Sequence, residues 1–560
     1  MSRAQLCGCD INNDSLIMKT NVDMNTLGCY MQRIKNYDNS KMIKSLEVYL
    51  KIINSNSDLK TKLDFIFANI RQEMGKKTML IIDMKPEKIQ EIIEKYLPVR
   101  EEEKDKYGEV FTPSSLINEM FDKLPKQLWS NPDLKWLDPA NGVGNFPMIA
   151  YVRLMEGLKK KIPDDKKRSE HIIENMLYMV ELNEKNVAVS RKIFGSSANI
   201  FCGSFLSDDN KNANPKVLET FKVEKFDVII GNPPFQKERD NTTGTTAGRT
   251  TLWEHFISQS FKILNEGGIL GFINPPNWRG LGNTHHIWEL ISNKQLLYLR
   301  IYNKKDGNKI FGVSSRFDLY IVQNKENTKP TEIINELGKK HLIKVNELPF
   351  LPNYDYNNIK KILTTEVNGI NVIFSSSIYD TRKLKKGKTG KFKHPIVHSI
   401  TQNPFKIEWY TDDDTKGHFG IPKVILNFNE HQYSHPEQND YTGKYGMSQI
   451  TFGIPIKSKK EGEEILKAIA TPAFKEIIKA TKWGAFQTDY RMFKYFKPDF
   501  YKYFLDNEIK SKSSTKTRKS PPKSKSPSPP KSTKTVKKKK KMRIVVGEFK
   551  GGKKTLKKKR

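Results

Sequence analysis

Asn232, Pro233, Pro234 and Phe235 stand at the end of an apolar run, Val228 to Ile230, that turns at Gly231. An amide, two prolines and an aromatic ring in that order form a stiff, acceptor-rich bracket. Two consecutive prolines remove two backbone N–H donors and rigidify the chain where it leaves the strand. The Asn232 amide oxygen and the Pro233 carbonyl then become acceptors of fixed direction. Phe235 adds a face for a planar group. None of this calls for a metal or a nucleophilic cysteine.

Upstream, "WLDPANGVGNF" (Trp136 to Phe146) reads as a short strand closed by Asp138, with Gly142 and Gly144 turning into the helix "FPMIAYVRLMEGL". Glycines after a strand let backbone approach a nucleotide-like ligand. The spacing departs from G-x-G-x-x-G, and no Lys-Ser/Thr pair follows as in a phosphate loop. A second apolar run, "MLYMVE", ends at Glu181, placed to accept from ribose hydroxyls. A third, "ANIFCGSFL", is expected to bury Ile200, Phe201 and Cys202 and to put Ser204 and Phe205 at its tip.

"YGEVFTP" (Tyr107 to Pro113), "DPANGVGNF" and "NPPF", in that order, resemble the amino-group DNA methyltransferases, specifically the gamma class that methylates adenine N6. The resemblance covers roughly residues 105–325. It implies a Rossmann-like α/β domain that uses S-adenosylmethionine. Thr112 and Pro113 would line the cofactor's methionine end. Asp138, Ala140, Gly142 and Gly144 would cradle its amino acid and sugar, and Glu181 its ribose. Ser204 stands where the family commonly carries an aspartate near the adenine amino group, and Phe205 would stack on the cofactor ring. Asn141 replaces a usual cysteine. By the same resemblance the bracket is catalytic. Adenine's exocyclic nitrogen is a poor nucleophile because its lone pair is delocalised. Acceptors on both N–H bonds would draw it toward a tetrahedral shape, which is preorganisation rather than covalent catalysis. The base would be flipped out of double-stranded DNA to reach it, with Lys237, Arg239 and Arg249 of the following loop near phosphates. A second "NPPN", Asn274 to Asn277, lacks the aromatic.

These residues need a scaffold, and the rest of the chain says which. The 560 residues are 37% hydrophobic and carry a formal charge of +34. From Lys510 on, 22 Lys and Arg face one acid, Glu548, so the tail alone holds +21. That points to a polyanionic partner. With the layout that the resemblance implies, the expected organisation is a helical N-terminal extension (1–104), a catalytic α/β domain (105–328), an α+β target-recognition domain (329–507) and a disordered Lys-rich tail (508–560) that either neutralises phosphates without sequence choice or serves nuclear targeting or solubility. Trp483, Phe486, Tyr490, Phe493 and Tyr495 call for burial in the third part. Leu252, Trp253, Phe256, Ile257, Phe261 and Leu264 mark a packed helix. Cys7, Cys9, Cys29 and Cys202 give no second pair at zinc-site spacing, so no metal is expected. Without an apolar run of membrane length or a leader, the expectation is a soluble intracellular monomer, cytoplasmic or nuclear. RNA adenine and protein glutamine-N5 methylation use the same bracket chemistry and stay open. So does a non-catalytic DNA-binding protein on a methyltransferase fold.

Overall fold

The structure is a computed structural model. It describes residues 110–506 apart from 211, 237–250, 365–368, 375–383, 402–404, 429–431 and 485–488, together with 82, 86–87 and 89–91. Most of the N-terminal extension, Tyr107, the loop lysine and arginines, Phe486, Cys7, Cys9, Cys29 and the basic tail therefore lie outside the described residues.

The chain runs α1 (Ser114–Asp122), β1 (Trp136–Asp138), α2 (Asn145–Gly157), α3 (Asp165–His171), β2 (Leu177–Glu181), α4 (Glu184–Phe194), β3 (Asn199–Cys202), α5 (Pro215–Phe221) and β4 (Phe226–Gly231). It continues through α6 (Trp253–Ile263), β5 (Leu264–Asn274), α7 (His285–Ser292), β6 (Lys294–Tyr302), α8 (Lys304–Phe311), β7 (Phe317–Glu326), β8 (Thr331–Ile334) and β9 (Lys340–Ile343). These strands form one sheet in the order β3-β2-β1-β4-β5-β7-β6-β8-β9. The first five are parallel, and β7 runs antiparallel to both β5 and β6.

Alternation along the strands explains why helices cover both faces. In β4, Val228 and Ile230 enter one core and Ile229 the other. A strand buried on both sides reads as a continuous apolar run. The chain winds outward from β1 to β3 and then returns to place β4 against β1. Strand order reverses there, so the carboxyl ends of β1 and β4 flank a crevice of the kind that binds ligands in open α/β sheets.

Several expectations shift. The sheet does not stop at 328: β8 and β9 extend it to Ile343. Phe201 is half-buried and Cys202 exposed, because β3 is the edge strand and has cover on fewer sides. Leu264 opens β5 instead of closing the helix before it. Among the described residues no helix is long and apolar enough to cross a membrane.

Beyond the sheet come α9 (Tyr356–Ile362), β10 (Lys385–Lys386), β11 (His394–Val397), β12 (Trp409–Thr411), β13 (Lys423–Asn427), β14 (Asn439–Asp440), β15 (Gly446–Met447), β16 (Thr451–Pro455), α10 (Lys459–Ala470) and α11 (Pro472–Ala480). The strands make two small sheets, β10-β12-β11-β15 and β14-β13-β16. Trp483 and Phe493 are buried as their composition requires, while Tyr490 and Tyr495 are half-buried. Ile229 and Leu270 of the large sheet share a core with Val424, Phe474 and Phe493. A polar pin adds to this contact. Arg279, just after β5, pairs in two-pronged fashion with Asp318 of β7 at 2.6 and 3.1 Å, both fully buried. It also donates to the Leu351 carbonyl and the Asn353 amide. Asn353 in turn donates to the Lys482 carbonyl. Removing one partner of such a pair would strand a buried charge, at a cost of about 3–5 kcal/mol.

Candidate active site

The turn after β1 depends on backbone torsions available to glycine. Gly142 has φ +57° and Gly144 φ +98°. A Cβ at Gly142 would meet nothing within 4 Å, so torsion alone selects glycine there. At Gly144 space matters too, since a Cβ would lie 2.8 Å from the Phe194 ring. The turn is tied to β2: the Asn141 N–H donates to the Val180 carbonyl at 2.9 Å. Glu181, at the tip of β2, accepts from the Gly142 N–H through Oε2 and from the Asn183 N–H through Oε1, both at 2.7 Å.

Asp138 closes β1 and is only 2% exposed. Its Oδ1 accepts from the Ala140 N–H at 3.1 Å, while Oδ2 is buried without a hydrogen-bond partner. Burial pushes the carboxyl up to about 8, the Glu181 charge adds to the rise, and the Ala140 bond opposes it. Gly231 permits the tight approach of β4, because a Cβ there would sit 2.8 Å from Asp138 Oδ1. The Oδ1 atoms of Asn141 and Asn145 are also buried and unpartnered. Native interiors rarely leave such acceptors unsatisfied. Three of them around one glycine turn suit a ligand with a cationic, hydrogen-donating end.

At the tip of β4 the Asn232 amide donates through Nδ2 to Thr112 Oγ1 at 3.1 Å. Its Oδ1 is buried and has no partner. No described residue donates to the Pro233 carbonyl. Among the described residues both acceptors anticipated for the bracket are thus uncommitted, and both lie at the β1–β4 switch point. The Phe235 carbonyl accepts from the Leu252 N–H at 3.1 Å, and Gln236 pairs with Thr251. Together these contacts close the base of the 237–250 segment.

Two assigned residues behave differently from their neighbours. The Ser204 hydroxyl donates to the Leu206 carbonyl and accepts from the Leu206 N–H, so it serves its own turn. Phe205 is 1% exposed and its ring stacks on Phe256 at 5.4 Å, which makes it a core side chain with little face to offer a ligand. Leu182, overlooked in the sequence, is an apolar side chain 53% exposed immediately after Glu181. Its signal was an apolar residue just past a strand-end acid. Gln90 was also missed. It donates to the Thr112 carbonyl at 3.1 Å, and nothing in its local sequence marks it. Pro113 caps α1, its carbonyl accepting from the N–H groups of Leu116 and Ile117. The second "NPPN" is not a copy of the bracket: Tyr320 donates to Asn274 Oδ1 at 2.6 Å, which occupies the acceptor.

Known proteins are similar to parts of this chain. Residues 38–311 match the Eco57I restriction-modification methylase family. The chain is 27% identical over 237 residues to an uncharacterized adenine-specific methylase of Mycoplasma pneumoniae, covering 30% of this chain and 55% of that protein. It is 28% identical over 202 residues to the Type II methyltransferase M.VspI of Vibrio sp., covering 34% and 42%. It therefore spans about half the length of the curated relatives it matches. Among solved structures, the Type IIL restriction-modification enzyme MmeI in complex with DNA aligns with a TM-score of 0.44 at 10% identity, over 86% of this chain and 82% of that one. The Eco57I match bears out the resemblance read from the three motifs.

Proposed function

We propose that this chain transfers a methyl group from S-adenosylmethionine to the N6 amino group of adenine in duplex DNA. The observation that carries this reading is a pair of acceptors without a donor among the described residues, Asn232 Oδ1 and the Pro233 carbonyl, beside a glycine turn whose buried Asp138 Oδ2 likewise lacks a partner. The acceptor set fits the cofactor: Asp138, Asn141 and Asn145 would hold its cationic amino-acid end, Glu181 its ribose, and Leu182 the apolar face of its adenine. When bound, S-adenosylmethionine supplies an electrophilic methyl carbon on a sulfonium.

The protein's own part is positional. Asn232 Oδ1 and the Pro233 carbonyl take the two N–H bonds of the target amine, which turns its lone pair out of conjugation and toward the methyl donor. Acceptors already fixed in place cost no reorganisation during the reaction. Phe235 stacks on the base. Extruding that base from the duplex costs a few kcal/mol, recovered in part by stacking and by the two hydrogen bonds. The C-terminal α+β region, residues 345–506, is the part that would read the recognition sequence. The basic tail would add affinity that weakens with salt.

The test is transfer of labelled methyl from the cofactor to duplex DNA, to RNA and to protein in parallel. Label in duplex DNA, recovered as N6-methyladenine, is the expected result. Label confined to RNA or to glutamine side chains would move the substrate, and none at all would leave only a binding role.

Glu181→Ala is expected to weaken cofactor binding roughly tenfold or more, since a hydrogen bond to a charged group contributes about 1.5–3 kcal/mol. It removes the ribose acceptor and also frees the Gly142 N–H that Glu181 now holds. A calorimetric titration showing wild-type affinity would place the ribose elsewhere.

A further inference from the structure

We infer that Thr112 is a positioning residue that decides which way round the Asn232 amide lies, and so whether the bracket presents an acceptor or a donor to its substrate. The inference rests on the methyl-transfer reading above. A terminal amide has two orientations of similar shape and opposite hydrogen-bonding character. Only the one with Oδ1 outward can polarise an amino group. The bond that selects it joins Asn232 Nδ2 to Thr112 Oγ1 at 3.1 Å, across 120 residues of sequence.

Thr112 is well placed to do this because it is held on several sides. It is 4% exposed. Its backbone carbonyl accepts from Gln90 Nε2 at 3.1 Å and from Asn145 Nδ2 at 3.3 Å. Gln90 also accepts from the Ser114 N–H at 3.1 Å, which clamps the residues on both sides of Pro113. The Thr112 backbone is therefore held by Gln90 and by the first residue of α2, which places its hydroxyl against Asn232.

A hydroxyl can donate or accept, so the bond alone would tolerate either amide orientation. The choice is made by where the hydroxyl's own proton goes. No described residue accepts it. Asn145, beside Thr112, belongs to the same glycine turn as Asp138, so an acceptor at the cofactor's amino-acid end is the nearby alternative. Once the proton is given there, Oγ1 can only accept. Asn232 must then offer Nδ2 inward and Oδ1 outward. Cofactor occupancy would in this way set the bracket in its catalytic state.

Three readouts on Thr112→Val and Thr112→Ser test this: cofactor affinity by calorimetry, the single-turnover rate at saturating cofactor, and target preference. Preference is the ratio of affinities for duplexes carrying adenine or purine at the target position, measured with S-adenosylhomocysteine bound so that no chemistry occurs. Purine lacks the amino group. Thr112→Val is expected to lose about tenfold in rate, the scale of one neutral hydrogen bond, and to lose the adenine preference. Thr112→Ser should restore both. Thr112→Ala gives the same readings should the valine variant lose its folding transition. A valine variant with wild-type rate and preference overturns the inference, as does a serine variant as impaired as valine, which would mark a packing role. Absence of methyl transfer to DNA by the wild-type protein would instead overturn the underlying function.

Discussion

Replacing Asn232 by alanine is expected to lower methyl transfer on the order of a hundredfold or more while leaving cofactor affinity close to wild type. The figure is that for removing one preorganised acceptor from a water-poor site. Asn232 Oδ1 is buried and unpartnered, so it is held ready at a desolvation cost that only a bound donor offsets. Its Nδ2 reaches Thr112 and none of the glycine-turn atoms, which is why the cofactor site should be little disturbed. Single-turnover rates and calorimetric titration, run on the same preparations, check both halves. Wild-type turnover in the variant would remove Asn232 from the mechanism, and lost cofactor binding would recast it as a structural residue.

Asp138→Asn is expected to have opposite effects on binding and on stability. A buried carboxyl pushed up to about 8 is protonated in the fold but ionised in the unfolded chain at neutral pH. The unfolded state binds fewer protons there, so this group's contribution to stability falls as pH rises from about 4 to about 8 and is level on either side. At pH 7 the penalty is on the order of a few kcal/mol. Asparagine removes it and keeps an oxygen for the Ala140 N–H. The variant should therefore melt higher than wild type at pH 7, with the difference shrinking toward pH 4. It should also bind cofactor at least tenfold more weakly, because the charge-assisted bond that the carboxylate makes once binding ionises it is lost. For the wild-type protein, cofactor affinity should rise as pH climbs toward 8. Thermal melts across pH and titrations in two buffers check the pair. A destabilised Asp138→Asn variant would mean that the carboxyl already has a partner.

What could be read from the sequence was what depends on local backbone chemistry. Asn232-Pro233-Pro234-Phe235 is stiff wherever it occurs, and Gly142 and Gly144 announce a left-handed turn by their type. The parallel part of the sheet was legible because Val228 to Ile230 and Leu177 to Val180 are apolar without interruption, as strands covered on both faces must be. Depth within the sheet was not. Cys202 is exposed because β3 is an edge strand, and strand order is a property of the whole chain. The resemblance implies a ligand-stacking role for Phe205, but its stacking partner Phe256 arrives on a later helix. The bonds that tune the site, Asn232 to Thr112 and Thr112 to Gln90, join distant segments whose residue types carry no mark of the contact. The reach of the sheet to Ile343 was hidden for a similar reason, since β8 pairs with β6 across an intervening strand and helix.

The most direct measurement of the central claim is a map of modified adenines. Duplex DNA is incubated with S-adenosylmethionine and either the wild-type protein or Asn232→Ala, then sequenced by a method that reads N6-methyladenine. Methylation at one recurring sequence with wild type, and its loss with the variant despite unimpaired cofactor binding, is the result expected of a bracket that activates an adenine amine. Unmodified adenine with the wild-type protein, or an equal map from the variant, would contradict it.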